Sequence, residues 1–200
     1  MKPFFQNFAT LKVTLKSIFN LFFLAFSSLL WSQHSSICTV ELNPDKKTLT
    51  VQQEVIYFNQ SNDTLKKIVF NDWNNAYSDK FSPLGKRFSD EFVRNYHLAK
   101  EEERGFTTDL TFIDQNKIFL DWSRTSDHPD LIEVKKKKKL APLKKFSIFI
   151  TYKIKLPNAK FTGYGYDNNG DFMLKDWLIT PARFNDGHFA MYSNLNLDDS

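Results

Sequence analysis

A chain of 200 residues makes one domain or a small pair. With 42% apolar and 25% charged residues it has the usage of a globular protein, which excludes a disordered, fibrous or polytopic membrane chain. Of the net charge of +4, Lys2, Lys12 and Lys16 supply three within residues 1–32, where no acid occurs, so the remainder carries only +1 and no nucleic-acid partner is expected.

The opening has the three parts of an export signal. Lysines precede an apolar run at 17–30 dominated by Phe and Leu, and Trp31-Ser32-Gln33 follows with a small residue near the cleavage point. The run is shorter than the roughly 20 residues that cross a bilayer. Residues 1–32 are therefore expected to be a signal peptide, with 33–200 exported to the periplasm or medium and no stable membrane span after cleavage. Cys38, the single cysteine, excludes an internal disulfide framework. It is not preceded by a lipoprotein-type tripeptide, and a half-buried strand position is expected for it.

The high aromatic content, 16% with 21 Phe, 7 Tyr and 4 Trp, favours strands. Leu49, Val51, Gln53, Val55 and Tyr57 alternate with Thr50, Gln52, Glu54, Ile56 and Phe58, so 49–58 reads as a strand ending in the turn formers of 59–63. The segment 64–70 reads as the next strand, paired antiparallel to it across the short polar connection. Phe88, Phe92, Tyr96 and Ala99 then recur at helical spacing behind Ser82-Pro83, which predicts one amphipathic helix over about 82–104 ending at Gly105. Strands follow at 106–113, 117–122 and 131–134, with a tight turn at Asp114-Gln115-Asn116. The clearest strand is 146–156, with Phe146, Ile148, Ile150, Tyr152, Ile154 and Leu156 on one face and Pro157 closing it. A further strand is expected within 172–179, and Asn185-Asp186-Gly187 signals a hairpin. The expected fold is mainly β, an antiparallel sandwich or saddle with one inserted helix.

Chemistry-bearing motifs are sparse. His34, His97, His128 and His188 lie 63, 31 and 60 residues apart, so no pair shares a helix face as a local zinc motif requires. Gly163-Tyr164-Gly165-Tyr166 lacks the third Gly and the Lys-Ser/Thr of a phosphate loop and reads as an aromatic turn. The five lysines at 135–139 are expected to form a solvated strand end and loop, anionic lipid or phosphate being the alternative.

Several stretches carry a family resemblance: 40–59, 63–77 with Trp73-Asn74-Asn75-Ala76-Tyr77, 99–106, 144–157, and 177–184 with Thr180-Pro181-Ala182. In order, over nearly the whole exported part, they resemble the N-terminal domain of the secreted bacterial zinc metallopeptidases of the aminopeptidase N family. The resemblance implies a β-sandwich or saddle beside the active-site cleft, with zinc and its His-Glu-x-x-His helix in a following domain that would bring the peptide substrate. No catalytic or metal-binding residue, and no cofactor, is expected in this chain, which reads as truncated before that domain. The family commonly holds the substrate's free amine with a Gln shortly before a Pro in the place of Pro181. Here that stretch is Gly170-Asp171-Phe172, and Asp171 is carried over as the candidate substrate-binding residue.

Two other readings come from the residues themselves. One is a free-standing secreted sandwich that binds peptide, glycan or protein through Trp73, Tyr77, Tyr164 and Tyr166. The other is a lipid-surface protein held by 17–30 and the lysines at 135–139.

Overall fold

The computed structural model describes residues 34–124 and 127–191. The signal peptide expected over 1–32 and the end of the chain from 192 lie outside the described residues. Alternation of apolar and polar side chains builds two four-stranded sheets. The first joins β1 (His34–Asn43), β2 (Thr48–Phe58), β7 (Lys145–Lys155) and β4 (Phe106–Asp114) in the order β1-β2-β7-β4. The second has the order β10-β3-β6-β5, from β3 (Leu65–Asn71), β5 (Trp122–Ser123), β6 (Leu131–Leu140) and β10 (Thr180–Pro181). All pairing between these strands is antiparallel. The domain is mainly β, as its alternation predicts.

The inward faces of both sheets share one core. Leu49, Val51, Val55 and Tyr57 of β2 and Phe146, Ile148, Ile150, Tyr152 and Ile154 of β7 are buried with Ile68 and Phe70 of β3 and Ile132 and Val134 of β6. At roughly 1.5–3 kcal/mol for each fully buried side chain, this layer is the main favourable contribution to folding. The exception on the inward face is Gln53, whose amide donates to the Ile179 carbonyl at 2.8 Å and accepts from the Tyr152 hydroxyl at 2.9 Å, so the buried polar group is satisfied.

Three expectations about the larger elements are corrected. First, β2 and β3 do not pair; they belong to different sheets. Buried Asn59 turns the chain across, its side-chain amide donating to the carbonyls of Asp63, Leu140 and Ala141. Second, the helix expected over 82–104 is broken into α1 (Pro83–Asp90), α2 (Arg94–His97) and a 3-10 turn at Glu101–Glu103. Helix α1 starts where expected, with the Ser82 hydroxyl accepting from Gly85 N at 3.1 Å and Pro83 in its first turn. It ends because Val93 N donates to Phe88 O and Phe92 N to Ser89 O, the paired bonds of a Schellman stop, with Phe92 at φ 58. The residue whose spacing continues the apolar stripe is the terminator, and it is 85% exposed. Third, the lysines at 135–139 lie inside β6 rather than in a loop.

Smaller elements complete the fold. The turn after β4 forms as expected, Asp114 Oδ1 accepting from Asn116 N and Ile118 N. Of the strand expected at 117–122 only Trp122 lies in a sheet strand, β5, apart from an Ile113–Phe119 bridge. Within 172–179, Phe172–Met173 is β9, which pairs with β8 (Gly165–Tyr166). Asp186 and Gly187 both have positive φ and join β11 (Phe184–Asn185) to β12 (His188–Phe189) as the predicted hairpin. Cys38 is on a strand, β1, but is exposed rather than half-buried. No helix of the described residues is long and apolar enough to cross a membrane.

Candidate functional site: an aromatic cleft on a clamped turn

The 3-10 turn Trp73–Tyr77 follows β3 directly and is fixed by a buried polar network. Asp72, fully buried, is ion-paired to Arg124, and its other carboxylate oxygen accepts from the Thr107 hydroxyl at 2.9 Å. Burial pushes the Asp72 carboxyl up, against the opposing pull of Arg124 and Thr107. Asn75 accepts from Thr107 N at 3.0 Å and donates to the Pro129 carbonyl at 2.7 Å. Asn74 accepts from the Tyr164 hydroxyl at 2.9 Å. The Ser82 hydroxyl donates to Ala76 O, which ties the start of α1 to the same turn.

The turn thereby presents aromatic rings to a cleft of about 380 Å³ lined by Trp73, Tyr77, Phe88, Arg87, Tyr164 and Lys175, with Leu84, Thr162 and Asp176 completing it. The Tyr77 and Tyr164 rings lie 5.7 Å apart, and Tyr77 packs edge-on against Tyr96 at 6.4 Å. The Tyr77 hydroxyl bonds the Thr162 hydroxyl at 2.7 Å. Burial pushes both phenols up, so at neutral pH they are neutral hydrogen-bonding groups. The rim is charged: Arg87 pairs with Glu91 at 2.7 Å, Lys175 donates to the Thr162 carbonyl at 3.2 Å, and Asp176 supplies a carboxylate. Such a lining suits an apolar or aromatic side chain with a polar end.

Three of the four aromatic residues singled out in the sequence, Trp73, Tyr77 and Tyr164, meet in this cleft. Tyr166 does not; it lies under the ammonium of Lys47, 3.9 Å from the ring centre. Arg87, Lys175 and Asp176 had no sequence signal, because they come from a helix and a loop about 90 residues apart. Asp171 is exposed in the turn between β8 and β9, where its N–H donates to Asp167 Oδ1 at 2.9 Å, and it is not among the cleft's lining residues.

The histidines are scattered. His34 stacks on Tyr57 at 4.5 Å, His97 Nε2 bonds Gly85 O at 3.0 Å, and His188 Nδ1 bonds Asp186 O at 3.1 Å. Among the described residues no three His, Cys, Asp or Glu side chains cluster as metal ligands. Neither protein-family models nor curated protein sequences give a match to the chain.

Proposed function

We propose that this is the non-catalytic N-terminal β domain of an exported zinc metallopeptidase of the aminopeptidase N type, flanking the cleft in which a separate domain hydrolyses peptides. One observation carries the reading. The two stretches that most resemble the family, 73–77 and 103–106, are some thirty residues apart in sequence yet form one interlocked unit. Thr107, next to the second stretch, bonds both Asp72 and Asn75, and a Cβ on Gly105 would lie 3.1 Å from Asn74 Oδ1 and 2.7 Å from Pro157 Cδ. Residues that resemble a family at separated places and also lock together are constrained as a set, which chance similarity of single strands would not require.

The face of β1 adds support. Val40 and Leu42 pair with fully buried Val51 and Leu49 and share their side of the sheet, yet are themselves 38% and 39% exposed. A docked domain would cover them. In this reading zinc-activated water acts in that other domain, and the domain described here shapes and narrows the approach. The test is to precipitate the native protein with an antibody against residues 40–190 and assay the precipitate on aminoacyl substrates. Chelator-sensitive aminopeptidase activity is expected; an inactive precipitate containing only a chain-sized product contradicts the proposal.

The cleft favours a second reading, a secreted module that binds a peptide side chain between Trp73, Tyr77 and Tyr164. It predicts that the chain alone binds aromatic peptides and that Trp73→Ala abolishes the binding.

A further inference from the structure

One end of the domain concentrates positive charge. Strand β6 follows β3 in register as far as Lys135, opposite Lys67, and the next aligned pair is Leu140 with Leu65. Lys66 alone therefore stands against the four lysines 136–139, which leave the regular ladder as a bulge. Strand β5 pairs only with Val134 and Glu133, so it does not cover them either. Lys135, Lys137, Lys138 and Lys139 are exposed, and none of them forms an ion pair among the described residues. Lys66, Lys144 and Lys145 are exposed at the same end, Lys145 being paired with Phe58 across β2 and β7. The nearby acids are Asp63, Asp114, Glu133 and the exposed Asp121, whose carbonyl accepts from Lys135 N at 2.8 Å. Asp114 is occupied by the turn amides of Asn116 and Ile118, and Glu133 by Lys67 at 2.5 Å.

Apolar side chains project at the same end. Leu143, in the turn from β6 to β7, is 70% exposed and has φ 58, a conformation that normally selects Gly or Asn. The turn is held rigidly: Leu143 N donates to Asn59 O at 2.8 Å and Asn59 N to Lys144 O at 3.0 Å. The β4 turn lies beside the lysines, since Lys136 extends over the Phe146 ring and feels the Asp114 charge. It presents Phe119, 67% exposed, and Ile118. A solvated turn gains nothing from a strained, exposed leucine, so the feature asks for a partner.

We propose that this end docks on an anionic bilayer surface, with the lysines at the headgroups and Leu143, Ile118 and Phe119 at the boundary with the acyl chains. Lysines alone would suit any polyanion. The apolar tips select the bilayer, because only there does an apolar medium lie immediately beneath a layer of negative charge.

The experiment is co-sedimentation of the full chain with phosphatidylcholine vesicles, with and without phosphatidylglycerol, every protein keeping residues 1–33 so that their contribution is common to all. Wild type is expected to prefer the anionic vesicles, and the preference to fall as salt is raised. The triple variant Lys137→Glu, Lys138→Glu, Lys139→Glu is expected to lose about 100-fold in affinity for them. Leu143→Asn, which suits the left-handed turn, is expected to lose about 10-fold while leaving heparin binding unchanged and the melting temperature no lower. Equal binding of neutral and anionic vesicles would overturn the proposal. So would vesicle binding unaffected by Leu143→Asn, which would mean a general polyanion site.

Discussion

Asp72 and Arg124 show how a single buried pair decides the shape of the cleft. The carboxylate is fully buried and the guanidinium largely so, and both also bond Thr107 or the Pro129 carbonyl. Such a pair adds little net stability over an apolar substitute, but removing one partner leaves an uncompensated charge. Asp72→Ala should therefore cost about 3–5 kcal/mol in chemical denaturation and disorder the Trp73 wall of the cleft. None of this was legible in the sequence, because Thr107 and Arg124 lie 35 and 52 residues from Asp72. The pattern marked Trp73 and Tyr77 as notable without indicating what holds them.

Lys136 yields a prediction with a definite sign. Its partial burial against Phe146 lowers its pKa from 10.5 to about 8, Asp114 opposing the shift. Between about 8 and 10.5 the unfolded chain keeps this proton while the folded chain has released it, so the contribution of Lys136 to stability rises with pH across that window. Buried tyrosines with raised pKa values act in the opposite sense as pH approaches 10 and are common to both proteins, so the denaturation midpoint of wild type relative to Lys136→Met should rise from pH 7 to 10.5.

At the scale of elements, periodicity located the strands well and misjudged where chain segments stop. Strand 146–156 was legible because every second residue is apolar and buried on both neighbouring ladders. The helix was over-extended because Phe92 keeps the spacing of Phe88 and Tyr96, although the backbone turns left-handed there. A left-handed residue that is not Gly costs about 1–2 kcal/mol, so Phe92→Gly should stabilise the domain by up to about 1 kcal/mol after the added unfolded-state entropy is deducted. The lysine run reads as passing from a strand end into a loop because five like charges are an unusual strand composition, yet Leu131, Ile132, Val134 and Leu140 anchor both its ends in the core and keep it within β6. Gly165 is a point of close approach: its φ is +117, and a Cβ would lie 1.8 Å from the Pro157 carbonyl. Gly165→Ala should lower stability by more than about 1 kcal/mol, as thermal unfolding would show, with the Tyr164 side of the cleft moving first.

At the scale of the whole molecule, two antiparallel sheets share one core, and the aromatic cleft sits where the turn after β3, the helix α1 and the 162–176 loops converge. The mainly β class was legible in the alternation. The division into two sheets was not, because a short polar connection fits a hairpin as well as a crossing, and only the long-range bonds of Asn59 to 140–144 decide between them. The partly exposed Val40 and Leu42, the interlocked 72–77 and 105–107 segments and the cleft are the features on which the proposed docking against a catalytic domain rests. The most direct test is the mass of the native product, from a blot of cells and medium with an antibody against residues 40–190. A species several times heavier than the chain's 23.5 kDa is what the metallopeptidase reading predicts, whereas a product of about 23.5 kDa or slightly less, with nothing heavier, would contradict it.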